Sequence, residues 1–226
     1  VRSRRQRQMC IRDRPGYRFE ADLEPEISVR AGSIHVSRGV MTRPRGRPAQ
    51  GAGVTRDDIL TAAMTLLDQG GGSGLTMRAL ATRLGVTPMS LYHHVEDRTG
   101  LLRALSDRVY ADVLDGMVAP ADHRSEIEMI LTRYHLAVGR HPQLTLAIFA
   151  TPEAFAGVTL KITHRLIALL AGFTAEPRLW SDILVDHAHG SGLTLASAYA
   201  DRERAQNLHE HYRQAIGVLL DRVTGL

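Results

Sequence analysis

The sequence predicts an all-α protein, with a three-helix head starting near residue 55 and a larger helical body behind it. Three observations predict this. Within Leu75–Val95 two short apolar-periodic segments meet at a glycine, the layout of a helix-turn-helix. Beyond it, apolar residues recur every three or four positions towards the carboxyl end, interrupted at proline and glycine. Composition agrees: 44% of the 226 residues are hydrophobic and only 5% are aromatic, a balance that favours packed helices over sheets.

The head is justified element by element. Thr55-Arg56-Asp57-Asp58 places a carboxylate three residues after a capping hydroxyl, the pattern of a capping box. Ile59, Ala63, Leu66 and Leu67 then form an apolar stripe, and the glycines from Gly70 to Gly74 are expected to end the helix. Thr76 caps the second helix, with Leu75, Ala79, Leu80 and Leu84 on its packed side. Gly85 sits where a left-handed terminal residue is needed, and Val86 plugs the turn. Thr87 caps the third helix with Pro88 at its first position, where a missing N–H costs nothing. That helix is expected to run through His94, with Leu91 and Val95 inward and Thr87, Ser90, Tyr92, His93 and His94 outward. A longer helix over Asp97–Leu114 carries Leu101, Leu102, Leu105, Val109 and Val113.

The body repeats this logic. One helix covers Asp122–Gly139, and His141-Pro142 breaks it, because the residue before proline avoids the helical region. A short helix follows over Gln143–Phe149. Thr151-Pro152 repeats the hydroxyl-plus-proline start seen at Thr87-Pro88, so a helix carrying Phe155, Val158, Ile162, Leu166 and Leu169 is expected from there. The last two helices are expected over Arg178–Ala200 and Arg202–Val223. Gly190-Ser191-Gly192 inside the first of these suggests either close helix approach at an interface or a kink beside a pocket.

The segments ILTAAMTLLDQG, LTMRALATRLGV and SLYHHVEDRTGLLRAL resemble the TetR family of transcriptional regulators, nearest its tetracycline-repressor branch. The resemblance covers about fifty residues. It implies a homodimer on a palindromic double-stranded DNA operator, repression relieved by a small apolar effector, and a dimer interface made by the last two long helices. The implied domains are a basic arm over 41–54, a helix-turn-helix domain over 55–104, and a ligand-binding and dimerisation domain over 105–226. Carried over position by position, the DNA contacts fall on Thr76, Arg78, Thr87, Pro88, Met89, Ser90, Tyr92, His93, His94 and Arg98. Arg78 suits guanine, whose two major-groove acceptors an arginine can bond together. Tyr92, His94 and Arg98 suit phosphates, which set register. Met89 either touches a thymine methyl or packs.

The helices between Ala121 and Gly172 are expected to wrap an apolar cavity. Tyr134, His135, His164 and His187 are its candidate polar groups and Phe149 and Phe155 its walls, with ordinary core residence the alternative for each. The stretch Leu146–Pro152 lacks the histidine with which tetracycline repressors hold a drug–magnesium chelate, so tetracycline is not carried over as effector. No cofactor is expected. Among the eleven histidines, His187/His189 and His209/His211 are pairs separated by a single residue. Residues two apart on a helix face opposite ways, so no metal site is expected.

Charge is distributed unevenly. Residues 1–40 hold nine arginines and five carboxylates, residues 41–105 eight basic and five acidic groups, and residues 106–226 eleven and fourteen. A basic head therefore precedes an acidic body, as DNA binding favours. Met9-Cys10-Ile11-Arg12-Asp13 resembles a translated transposon end used in sequencing adapters. Residues 1–40 are accordingly either extraneous translated sequence or a disordered tail. Arg43, Arg45 and Arg47 lie in an extended Arg-Gly-Arg-Pro stretch suited to a narrow minor groove. The alternative function is a non-sequence-specific architectural DNA-binding protein using that arm. The chain shows no membrane-spanning run, no secretory signal and a single cysteine, Cys10, so a bacterial cytoplasm is expected. It also lacks a P-loop lysine and any triad ordering, so no enzyme activity is expected.

Overall fold

Most helix starts in this chain are set by short polar side chains, and the computed structural model shows them in place over the residues it describes, 53–116 and 122–225. The helices are α1 (Arg56–Gly74), α2 (Met77–Leu84), α3 (Pro88–Tyr92), α4 (Arg98–Leu114), α5 (His123–Arg140), α6 (Pro142–Phe149), α7 (Val158–Leu170), α8 (Pro177–Ala196) and α9 (Arg202–Thr224). No strand occurs among the described residues. The arm residues Arg43, Arg45 and Arg47, and the whole of residues 1–40, lie outside the described residues.

The expected capping box forms: the Thr55 hydroxyl oxygen accepts the Asp58 N–H at 3.2 Å, and the Asp58 carboxylate accepts the Thr55 N–H at 3.0 Å. Those bonds hold the Asp58 carboxyl below the usual range. Thr76, Thr87 and Asp97 likewise accept from the Ala79, Ser90 and Gly100 amides at 3.1, 3.3 and 2.7 Å. In the body, Asp122 and Asp201 do the same for α5 and α9.

Three boundaries differ from the sequence expectation. α1 does not stop at Gly70: helical bonding resumes to Gly74 across a kink at Gly71, whose φ of 60° only glycine adopts cheaply. α3 ends at Tyr92, and His93 and His94 lie in the turn after it. Thr151-Pro152 opens only a 3₁₀ turn, Pro152–Ala154, in which the Thr151 side chain makes no capping bond. α7 begins later, at Val158, and a residue of α4 supplies its cap (below).

One continuous apolar core runs through head and body. Ile59, Leu67, Leu75, Leu80, Leu91 and Leu101 fill the head, while Ile130, Val138, Leu166, Leu184 and Ile216 lie in the body part of the same cluster. The α4 helix belongs to both, so the expected division at 104/105 falls inside a helix. In the body, α5 and α8 approach closely at two glycines. A Cβ on Gly192 would lie 2.7 Å from Val138 Cγ1, and one on Gly139 would lie 3.1 Å from Leu195 Cδ2. Gly192 thus serves close packing between two helices of the same chain, whereas Gly190 faces open space. The α8 helix is continuous through both glycines.

Candidate nucleic-acid interface and its linkage to the body

The turn between α2 and α3 is closed by Gly85 at φ 68°, and the Val86 N–H reaches back to the Ala81 carbonyl at 3.0 Å. Leu91 and Val95 are 1% and 6% exposed, which seats α3 on the head core. The opposite surface is polar and open. Thr76, Arg78, Thr87, Pro88, Met89, Tyr92, His93 and His94 are exposed and Ser90 is half-buried. Met89, at 69% exposure, does not pack against the core, which removes one of the two readings of that side chain. The Thr87 and Ser90 hydroxyls bond each other at 3.0 Å. Short hydroxyls, two imidazoles, a phenol and an arginine on one face can donate to and accept from base edges and phosphates.

Arg98 departs from its expected role as a phosphate contact. Its guanidinium is partly buried and donates inward: Nε to the Leu75 carbonyl at 3.0 Å, Nη2 to the Gly72 carbonyl at 2.8 Å, and Nη1 to the Thr151 hydroxyl at 3.3 Å. The physical reason is the turn between α1 and α2. The carbonyls of the last turn of α1 and of Leu75 after it have no helical partners, and an arginine fork from α4 satisfies two of them.

Two further α4 side chains hold the same segment of the body. Arg103 donates to the Glu153 carbonyl through Nε and Nη2 at 2.9 and 2.7 Å. Asp107 accepts the Val158 N–H at 2.8 Å and caps α7. Sequence reading missed both, because a cap supplied from about fifty residues away leaves no local signature. Arg108 ties α4 to α1 through the Thr61 hydroxyl at 3.0 Å and Asp57 at 3.2 Å.

The expected pocket residues do not converge on one site. Tyr134 is 5% exposed; its hydroxyl bonds His189 Nε2 at 2.7 Å, and its ring lies 5.2 Å from Tyr110, whose hydroxyl bonds Thr145 at 2.9 Å. Phe149 meets the His189 ring edge-on at 4.7 Å yet is 51% exposed. Burial pushes the His189 imidazole down to about 4 and raises the Tyr134 phenol. His135, the next residue, faces α9 instead and stacks on Tyr212 at 3.8 Å, with the His187 ring also stacked on Tyr212 at 5.5 Å. His164 is exposed on α7, and Phe155 is 41% exposed. The corrected grouping is Tyr134, Tyr110, His189 and Phe149 on one side of α5 and His135, His187 and Tyr212 on another. Consecutive helical positions point about 100° apart, which separates Tyr134 from His135. His189 was missed although its spacing from His187 placed the two on opposite faces. Among the described residues no group of three or more histidine, cysteine or carboxylate side chains is arranged to hold a metal ion. No described helix is long and apolar enough to cross a membrane.

An all-α chain whose short recognition helix sits on a buried leucine, polar face outward, is a helix-turn-helix protein. A family model described as "Bacterial regulatory proteins, tetR family" matches residues 59–105. The chain belongs to the TetR family. An uncharacterized HTH-type transcriptional regulator of Mycobacterium tuberculosis is 42% identical over 76 residues, 34% of each chain. The HTH-type transcriptional repressor DrrR1 of Streptomyces coeruleorubidus is 34% identical over 186 residues, 76% of this chain and 66% of that one. The match thus spans about a third of the length of the first relative. Among solved structures, Mycobacterium smegmatis BioQ superposes with a TM-score of 0.63 at 24% identity, covering 76% of this chain and 98% of that one. BioQ with its double-stranded DNA operator matches at 0.60 and 23% identity, covering 76% of this chain and 99% of that one. These likenesses show the shared fold.

Proposed function

We propose that the chain is a ligand-responsive transcriptional repressor that binds a palindromic operator as a homodimer and is released by a small apolar effector. The observation that carries this reading is the α2–α3 face, where every outward side chain can bond or touch DNA while Leu91 and Val95 anchor the helix. The operator-bound BioQ structure supports DNA as partner. The proposed contacts are Thr76, Arg78, Thr87, Pro88, Met89, Ser90, Tyr92, His93 and His94, with Arg43, Arg45 and Arg47 in the adjacent minor groove. Arg98 is left out, because its donors are engaged within the chain.

The head spans 55–104 and the ligand-binding and dimerisation body 105–226, with α4 shared. Exposed Leu179 and Ile183 on α8 and Val218 on α9 support a dimer face on these two helices. Tyr134, Tyr110 and His189 form the polar lining an effector would meet. Displacing α6 or the Thr151–Val158 segment moves α4 through Arg98, Arg103 and Asp107. Half-sites lie about 34–36 Å apart on DNA, so a small pivot of each head breaks simultaneous fit.

The test is selection of binding sites from a random double-stranded pool, followed by competition with scrambled DNA. An inverted repeat that outcompetes its scrambled form supports the reading. Binding that survives scrambling and falls steeply with salt overturns it in favour of an architectural role.

A further inference from the structure

Four rings stack across the junction of α5, α8 and α9. His187 of α8 lies 5.5 Å from Tyr212 of α9 at an interplanar angle of 18°; Tyr212 lies 3.8 Å from His135 of α5 at 10°; and His135 lies 5.6 Å from His209 of α9 at 21°. His135 is wholly buried; its ring has no side-chain hydrogen-bond partner and meets only a weak contact to the Ala188 backbone carbonyl. His187 Nε2 and His209 Nδ1 are also buried without partners. The Tyr212 hydroxyl donates its proton to the Leu131 carbonyl at 3.0 Å, so that proton is not available to them.

No carboxylate stands ready to hold a proton here. On the α9 side, His211 opposes His187, and His209 lines a groove with Glu128, Arg133 and Arg213. Glu128, from α5, is already shared between Arg124 and Arg213 at 3.6 and 3.7 Å. Glu210 of α9 lies 4.0 Å from Arg213. On α8, Asp186 lies near His189, which faces Tyr134. Near-parallel rings also cannot aim their nitrogens at one metal ion.

We propose that this stack is a proton-operated latch: α9 stays docked on α5 and α8 while the histidines are neutral, and lifts when they take up protons. A cation between stacked rings, without water or counter-charge, disfavours the docked state. Burial and then His209 push His135 down to about 4, with the Ala188 carbonyl offsetting this only in part; burial, then His211, also lowers His187. Once α9 lifts, His135 and His187 regain water and titrate near their ordinary value of 6.5. The open state therefore binds more protons than the docked state below that pH, and opening becomes easier as pH falls. Each such histidine contributes up to about tenfold per pH unit to the opening equilibrium. By the dimer reading proposed above, acid would also loosen the dimer.

The test is amide hydrogen exchange of α9 in the full chain at pH 7.5, 6.5 and 5.5, corrected for intrinsic rates. Protection of α9 amides is expected to fall about tenfold or more between pH 6.5 and 5.5. His135→Phe, which keeps an aromatic ring in the stack, and His187→Gln should each shrink that fall by about fivefold, whereas exposed His164→Gln should leave it unchanged. Flat α9 protection in the wild type, or an unchanged fall in both variants, overturns the latch. If His135→Phe does not fold, His187→Gln decides alone. Sedimentation of the same samples separates the two readings: α9 opening without a change in mass supports the latch and counts against the α8–α9 dimer face.

Discussion

Asp107 Oδ1 accepts the Val158 N–H at 2.8 Å, so the helix that leaves the head caps the helix that walls the body. Gly157, immediately before, adopts φ 61°, and a Cβ there would overlap the Asp107 carboxylate. The cap exists because the preceding residue has no side chain.

Gly157→Ala should therefore cost about 1–3 kcal/mol, through a strained left-handed backbone and a displaced cap. Asp107→Ala should cost about 1 kcal/mol, the ordinary loss of a helix cap. Denaturant unfolding of the two single variants and the double variant checks this. A double variant losing the full sum of the single losses would show that the cap and the glycine act independently, contrary to the geometry.

Arg98→Ala leaves the Gly72 and Leu75 carbonyls without their donor and should destabilise the fold by about 1–3 kcal/mol in the absence of DNA. Arg98→Lys should recover little, because an ammonium cannot reproduce the fork. Thermal unfolding without DNA measures it; unchanged stability in Arg98→Ala would return this side chain to the list of phosphate contacts.

Arg78→Ala and Tyr92→Ala should divide differently. Both side chains are exposed, so stability should stay within about 0.5 kcal/mol. Arg78→Ala should lose about 1–3 kcal/mol of discrimination at one base pair. Tyr92→Ala should weaken binding across sequences alike. Titration of the selected operator and single-base variants of it distinguishes the two patterns, and full affinity in both mutants would remove these residues from the interface.

Gly192→Ala would drive a methyl into Val138 and the His135 carbonyl. Overpacking of this kind costs about 1–3 kcal/mol. Gly190→Ala, facing open space on the same helix, should instead stabilise α8 by up to about 1 kcal/mol. The contrast in melting temperature is the readout, and equal effects would contradict the observed packing.

The His189 imidazole, held down to about 4 by burial beside Tyr134, ties the body to pH. Between about pH 6.5 and 4 the unfolded chain binds its proton and the folded chain does not, so stability falls as pH falls through that window. His189→Gln should flatten this part of the stability profile, measured by denaturant midpoints from pH 7 to 4.5. A profile as steep as the wild type's would show that other groups set the acid limit.

The α-helical class, the recognition turn and most helix starts were legible in the sequence because each depends on residues within four positions of one another. Thr55 with Asp58, Thr76 with Ala79, Thr87 with Pro88, and Gly85 in its left-handed turn are local chemistry, and local chemistry is written in order along the chain. The same holds for the outward and inward sides of α3, which follow from helical spacing alone. Where the cause lay far off in sequence, tertiary structure decided. Thr151-Pro152 carried a local start signal, yet α7 begins at Val158, because Asp107 offers the cap and Gly157 the space for it. Arg98 carried a surface charge that suited a phosphate, yet the open carbonyls of Gly72 and Leu75 lie within its reach. His135 and Tyr134 are neighbours in sequence but face different helices, so one expected pocket became two separate aromatic groups. Asp107, Arg98 and Tyr134 were each assigned by the polar group that the packing of distant helices brought within about 3 Å, and His135 by the ring it stacks on; neither kind of pairing has a trace in spacing or composition.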